Sequence, residues 1–121
     1  MKLLKSGEIS EQTLHKTVIE WFKNHPNIIR YVIHIPNEGV RTIRYGKHLK
    51  DLGMRPGVSD LFIALPRHGY HGAFIELKTS KGILSNSQKI FLEDMQNQGY
   101  YSIATYGLDS SLERISWYCL D

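Results

Sequence analysis

The sequence predicts an α/β fold, a mixed central sheet flanked by helices, on the strength of three observations. Four short runs, Ile28 to Ile35, Ser59 to Leu65, Ala73 to Thr79 and Tyr100 to Tyr106, are rich in β-branched and aromatic residues and read as strands. Stretches with apolar residues at helical spacing alternate with them. The segment Pro66-Arg67-His68-Gly69-Tyr70-His71-Gly72 has the turn chemistry of a hairpin loop, so the runs on either side of it are expected to pair antiparallel. A chain of 121 residues buries about two thirds of its unfolded surface around one core, and residues 1–121 are read as a single domain without a linker.

Taken in order, Ser10 is a good N-cap for a first helix whose Leu14, Val18, Trp21 and Phe22 form one apolar stripe, and Pro26 is expected to end it. Ile28 to Ile35 follows as a strand, bounded by His25-Pro26-Asn27 and Pro36-Asn37-Glu38-Gly39. Residues 41 to 52 have an apolar edge in Ile43, Leu49 and Leu52, but Gly46 and Gly53 interrupt it, leaving a short helix or loop. The two hairpin strands come next. After Gly82, Ser85 and Gln88 have capping-box spacing, which opens a helix through Ile90, Phe91 and Met95 that stops at Gly99. The last strand is Tyr100 to Tyr106. Ser110 and Glu113 repeat the capping-box spacing and predict a final helix with Leu112, Ile115 and Cys119 turned inward.

Several function classes drop out. Apolar runs such as Leu61 to Leu65 are far too short to cross a bilayer, and Lys2 and Lys5 precede no apolar core of signal-peptide length, which points to a cytoplasmic protein with no membrane partner. The lone cysteine, Cys119, cannot form an internal disulfide and is read as a small apolar residue. No G-x-x-x-x-G-K-[ST] loop, G-x-S-x-G elbow or paired-cysteine motif occurs, which argues against a nucleotide cofactor and against serine or thiol catalysis. Net charge is +3, and the basic excess is concentrated: Arg41, Arg44, Lys47, Lys50 and Arg55 stand against one acid, Asp51. Such a run can follow a phosphate backbone, and solvated surface charge is the ordinary alternative.

The stretch FIELKTSKG, residues 74–82, carries the chemistry. Side chains alternate along a strand, so Phe74, Glu76 and Lys78 share one face while Ile75, Leu77 and Thr79 share the other. Antiparallel partners have a constant index sum, and a loop centred near His68 places Asp60 opposite Glu76. Two carboxylates that close repel unless one keeps a proton or a cation lies between them. Mg²⁺ suits one or two carboxylates plus water and phosphate oxygens, and the Lys78 ammonium would then assist attack of water on a phosphate. The plain alternative is an ion pair on a strand surface. His68 and His71 form an H-x-x-H too sparse for a metal site, and are read as solvent-exposed.

Gly57-Val58-Ser59-Asp60, Ile75-Glu76-Leu77-Lys78, Leu84-Ser85 with Gln88, and Gly99-Tyr100 together resemble the VRR-NUC domain, the virus-type replication-repair nuclease of the PD-(D/E)XK superfamily. The resemblance runs from about Glu11 to the carboxyl terminus, with Ser59 standing where the family usually has Pro. It implies a restriction-endonuclease-like sheet and hydrolysis of DNA phosphodiester bonds with Mg²⁺ or Mn²⁺. It further implies that Asp60, Glu76 and the Leu77 carbonyl bind the metal, that Lys78 is the catalytic lysine, and that Gln88 occupies a further active-site position. Glu11 matches an acidic position that completes the metal shell, although an acid in a first helical turn also suits the helix dipole. Asn37 and Glu38 resemble the family's Asn-Glu turn, although a tight turn explains the Asn and Gly of Pro36-Asn37-Glu38-Gly39 without any function, and His15 receives no role. Arg41, Arg44, Lys47 and Lys81 are the candidate DNA contacts. A domain standing alone is similar to dimeric Holliday-junction resolvases, which implies a homodimer acting on branched DNA. The competing expectation is a noncatalytic DNA-binding or assembly module that keeps the nuclease fold.

Overall fold

Ser10 caps the first helix as its chemistry dictates, its hydroxyl accepting from the Thr13 amide at 3.1 Å. The structure, a computed structural model, describes residues 8–36, 47, 48 and 50–121. Helix α1 (Glu11–Lys23) buries the stripe Leu14, Val18 and Phe22. It stops at Asn24, and Pro26 opens a further short helix instead of ending the first. This is α2 (Pro26–Ile29), with Pro at a position whose missing N–H costs nothing. The expected strand from Ile28 to Ile35 is correspondingly shortened to β1 (Val32–His34). Its first two isoleucines lose their strand propensity to tertiary packing, because the helical turn carries Ile28 into the core.

The hairpin forms as the loop chemistry requires. Strand β2 (Leu61–Ile63) pairs antiparallel with β3 (Ala73–Lys78), with Leu61 opposite Ile75, Phe62 opposite Phe74 and Ile63 opposite Ala73. That register is the one expected from the sequence. In the loop, the Tyr70 amide donates to the Arg67 carbonyl at 2.8 Å, while His68 and Gly69 both take positive φ, 53° and 84°. Positive φ at both central residues is the requirement of a type I′ turn. His68 is held there by stacking on Trp117 at 4.0 Å and by donating from Nε2 to the Trp117 carbonyl at 3.0 Å. Strand β4 (Tyr101–Tyr106) lies parallel to β3 on its other side, and β1 pairs antiparallel with β2, so the sheet order is β1-β2-β3-β4.

Between β3 and β4 runs α3 (Asn86–Asn97), whose capping box is complete: the Ser85 hydroxyl accepts from the Gln88 amide and the Gln88 side chain accepts from the Ser85 amide. The last helix, α4 (Leu108–Leu120), begins before the expected Ser110 cap. Gly107 takes φ +85° and lets the chain pass from β4 into the helix in a single residue, and Ser111 Oγ donates to the Gly107 carbonyl at 2.6 Å. Ile115 and Cys119 face inward as expected, joined by Ser111 and Tyr118.

The two faces of the sheet are packed differently. Leu61, Ile63, Ala73, Ile75 and Leu77 meet Leu14, Val18 and Phe22 of α1 and Ile115, Tyr118 and Cys119 of α4 in one core. On the other face Phe62 stacks on Phe74 at 4.5 Å, and Phe74 meets Phe91 of α3 edge-on at 5.1 Å. Each fully buried aliphatic side chain in the first layer contributes about 1.5–3 kcal/mol. Among the described residues no helix is long and apolar enough to cross a membrane.

The loop that delivers Asp60 is pressed onto the start of α3. Gly57 has φ +85°, and a Cβ on it would lie 2.4 Å from the carbonyl carbon and oxygen of Ser87. Arg55 anchors the same loop through an ion pair to Asp94 at 2.6 Å and by lying over the Phe91 ring. It is therefore engaged in packing, not free within the basic run. Gly53 also has positive φ, +95°, but open space around it. Gly57→Ala is expected to cost at least about 2 kcal/mol more than Gly53→Ala in urea unfolding, because both carry the left-handed strain of about 1–2 kcal/mol and only the first meets backbone.

Candidate active site

Each of two acids is held by the backbone of the other's strand. The amide of Asp60, just ahead of β2, donates to Glu76 Oε2 at 3.2 Å, and the amide of Leu77 in β3 donates to Asp60 Oδ2 at 2.8 Å. The Asp60 carbonyl is fixed in turn by the Ile35 amide at 2.8 Å. Both residues are buried, Asp60 6% and Glu76 3% exposed, so these bonds form away from competing water. The hairpin register thus brings the two carboxyl groups together at the end of the sheet.

Lys78 shares the Glu76 face, as strand alternation requires, and its Nζ lies 3.7 Å from Glu76 Oε1. The same oxygen accepts from Gln88 Nε2 at 3.0 Å. Gln88 therefore both completes the cap of α3 with its Oε1 and reaches into the site with its amide nitrogen. Asp60, Glu76, Lys78 and Gln88 form one connected group, with Leu77 inside it through its backbone. The other candidates lie elsewhere. Glu11 is exposed on the first turn of α1, and Lys47 is exposed. Lys81 pairs with Glu8 at 2.9 Å. Arg41, Arg44, Asn37 and Glu38 lie outside the described residues.

One side chain that sequence reasoning left without a role also faces the pair. His15 of α1 places Nε2 3.9 Å from Asp60 Oδ2, and its ring meets His34 of β1 edge-on at 6.2 Å. Its place beside Leu14, on the flank of the apolar stripe, marks it as half-buried. That it points at Asp60 depends on how α1 lies across the sheet, which the helical period does not specify.

The electrostatics follow from burial. Desolvation, reinforced by the Asp60 charge, pushes the Glu76 carboxyl up to about 8, against the pull of Lys78. Burial raises Asp60 as well, opposed first by the Leu77 N–H bond. Two carboxyl groups with raised proton affinity are short of positive charge, and one lysine does not supply it. Hard oxygen donors in this setting fit a divalent ion such as Mg²⁺ or Mn²⁺, which the two acids would hold. Among the described residues no ready-made group of three or more His, Cys, Asp or Glu stands as a metal cage, so the fit rests on the pair. Cys119 is no competitor for chemistry, because burial pushes its thiol up to about 11.

Comparison with known proteins adds to this geometry. The family model described as VRR-NUC domain matches residues 9–108. The fold is similar to a solved structure titled VRR_NUC domain protein, with a TM-score of 0.80 and 24% identity over 98% of this chain and 91% of the other. No curated protein matches the chain.

The raised acids make stability depend on pH in a definite direction. Glu76 is ordinarily half-protonated at 4.5, so holding its proton stabilises the metal-free fold fully below that pH, and the contribution is lost as pH rises through about 8. The melting temperature in chelator is expected to fall on the order of 5 °C or more between pH 5 and 9. Glu76→Gln should flatten that fall in calorimetric scans, and added Mn²⁺ should stabilise the unsubstituted protein more at the high-pH end.

Proposed function

The chain belongs to the VRR-NUC domain family, and from that premise we propose that it is a divalent-metal-dependent endonuclease hydrolysing phosphodiester bonds of branched DNA such as four-way junctions. The observation that carries the proposal is the buried pair Asp60 and Glu76 with Lys78 and Gln88 attached to it. A family of nuclease-type fold supplies the substrate class, DNA. The pair supplies the reason for a metal, and the metal, Mg²⁺ or Mn²⁺, is the cofactor of the proposal.

Within that reading each residue has a physical task. Asp60 and Glu76 would hold the ion, which would supply Lewis-acid activation of water and of the scissile phosphate. Asp60 is kept in place by the Leu77 amide, and Glu76 by Gln88 and the Asp60 amide. Those bonds fix the donor oxygens before any ligand arrives, so little reorganisation is needed. The Leu77 carbonyl is the backbone oxygen assigned to the same shell. Lys78 stands beside Glu76, where its ammonium holds the water and offsets negative charge gathering on the phosphoryl oxygens. Glu11 is assigned the acidic position from α1 that completes the metal shell, one helical turn ahead of His15.

Residues 1–121 act in this proposal as a single domain and as a homodimer, because twofold symmetry presents two sites to the two matched strands of a junction. Arg41, Arg44, Lys47 and Lys81 are assigned to the phosphate backbone, which makes binding fall steeply with salt. The cytoplasm, where DNA is in reach, is the proposed location.

The test is cleavage of four-way, flap and linear DNA with Mg²⁺ or Mn²⁺, followed by product mapping. Symmetrically paired nicks in the junction are expected, and Asp60→Ala and Lys78→Ala should each lower the rate by about 100-fold or more while leaving DNA binding in place. Full cleavage by both variants would end the mechanism. DNA binding without any Mn²⁺ uptake or cleavage would establish a noncatalytic module instead.

A further inference from the structure

The geometry points to His15 Nε2 as a nitrogen ligand that shares the divalent ion with Asp60, an inference that rests on the metal-dependent reading above. Nε2 is buried and, among the described residues, has no hydrogen-bond partner. An unpartnered buried polar atom is costly, so its persistence calls for a partner that arrives later. The atom nearest in charge terms is Asp60 Oδ2, at 3.9 Å. That gap is too wide for a hydrogen bond, which ends near about 3.2 Å. A cation that binds nitrogen and oxygen at about 2.0–2.2 Å keeps its ligands within about 4.3 Å of one another, and these two atoms already lie within that limit.

The placement has a chemical consequence. With the ring proton on Nδ1, Nε2 presents a lone pair toward the carboxylate, a mixed nitrogen and oxygen donor set. Mg²⁺ favours oxygen donors alone, whereas imidazole suits first-row transition ions. A nitrogen donor therefore favours a first-row transition ion over Mg²⁺, and Mn²⁺ is the one with a direct spectroscopic readout. Asp60 would be the ligand that His15, from α1, shares.

The experiment is pulsed electron paramagnetic resonance of the full chain loaded with Mn²⁺, read for modulation by a directly bound imidazole nitrogen, beside calorimetric titration with Mn²⁺ and with Mg²⁺. Nitrogen modulation is expected in the unsubstituted protein and in His34→Gln, which removes the neighbouring ring, and is expected to vanish in His15→Gln. The same His15→Gln substitution should weaken Mn²⁺ by about 10-fold or more and Mg²⁺ by less. Mn²⁺ binding that Glu76→Ala abolishes, but that shows no nitrogen modulation in the unsubstituted protein, would overturn the His15 assignment and leave the metal-dependent reading standing. Modulation surviving in His15→Gln would overturn it too. No Mn²⁺ binding at all would overturn both.

Discussion

Everything in the site depends on two buried acids that cannot both be charged without help. The fold forces them together: the β2–β3 register places Asp60 against Glu76, and each carboxyl accepts an amide from the other's segment. Those bonds hold the geometry, but burial outweighs them, and both acids sit above their ordinary proton affinity. A protein selected only for stability would gain by replacing such a pair with apolar side chains. Keeping it makes physical sense where a cation or a proton in transit is part of the task.

The sheet divides labour between its faces. Leu61, Ile63, Ala73, Ile75 and Leu77 are committed to the core with α1 and α4, while the alternate positions of β3 run Phe74, Glu76, Lys78 toward α3. A slip of one residue would exchange these sets and bury Lys78 in the aliphatic layer. The chemistry is thus protected by the hydrophobic pattern itself. Strand β3 lies between β2 and β4; its Glu76 and Lys78 are placed by the ladder to β4, opposite Ala104 and Tyr106, and the Gly107 amide adds a bond to the Lys78 carbonyl at 2.8 Å.

What the sequence made legible was whatever depends on local period and turn chemistry. The loop 66–72 has Gly at a position needing positive φ, which fixed the pairing and with it the meeting of Asp60 and Glu76. Ser85 and Gln88 announced the start of α3 for the same reason, since capping is a matter of four consecutive residues. The failures have one cause, tertiary context. Ile28 and Ile29 look like strand but turn helically, because the core wants Ile28 and Pro26 suits a helix start. Ser110 looks like a cap, but Gly107 makes the bend earlier. Arg55 looks like part of a phosphate-binding run, yet Asp94 claims it from the far side of 39 residues of chain. His15 belongs to this class as well, because only the angle of α1 over the sheet aims it at Asp60.

One amide group has two employments, and this couples events usually regarded as separate. Gln88 closes the first turn of α3 with its oxygen and restrains Glu76 with its nitrogen. When that turn frays, as helix ends do on short timescales, the restraint on the carboxylate lapses at the same moment. Ligand that draws Glu76 into fixed geometry must then also protect the Ser85 and Gln88 amides from exchange with solvent. Order at the start of a helix and readiness of a carboxylate become two readings of a single local equilibrium.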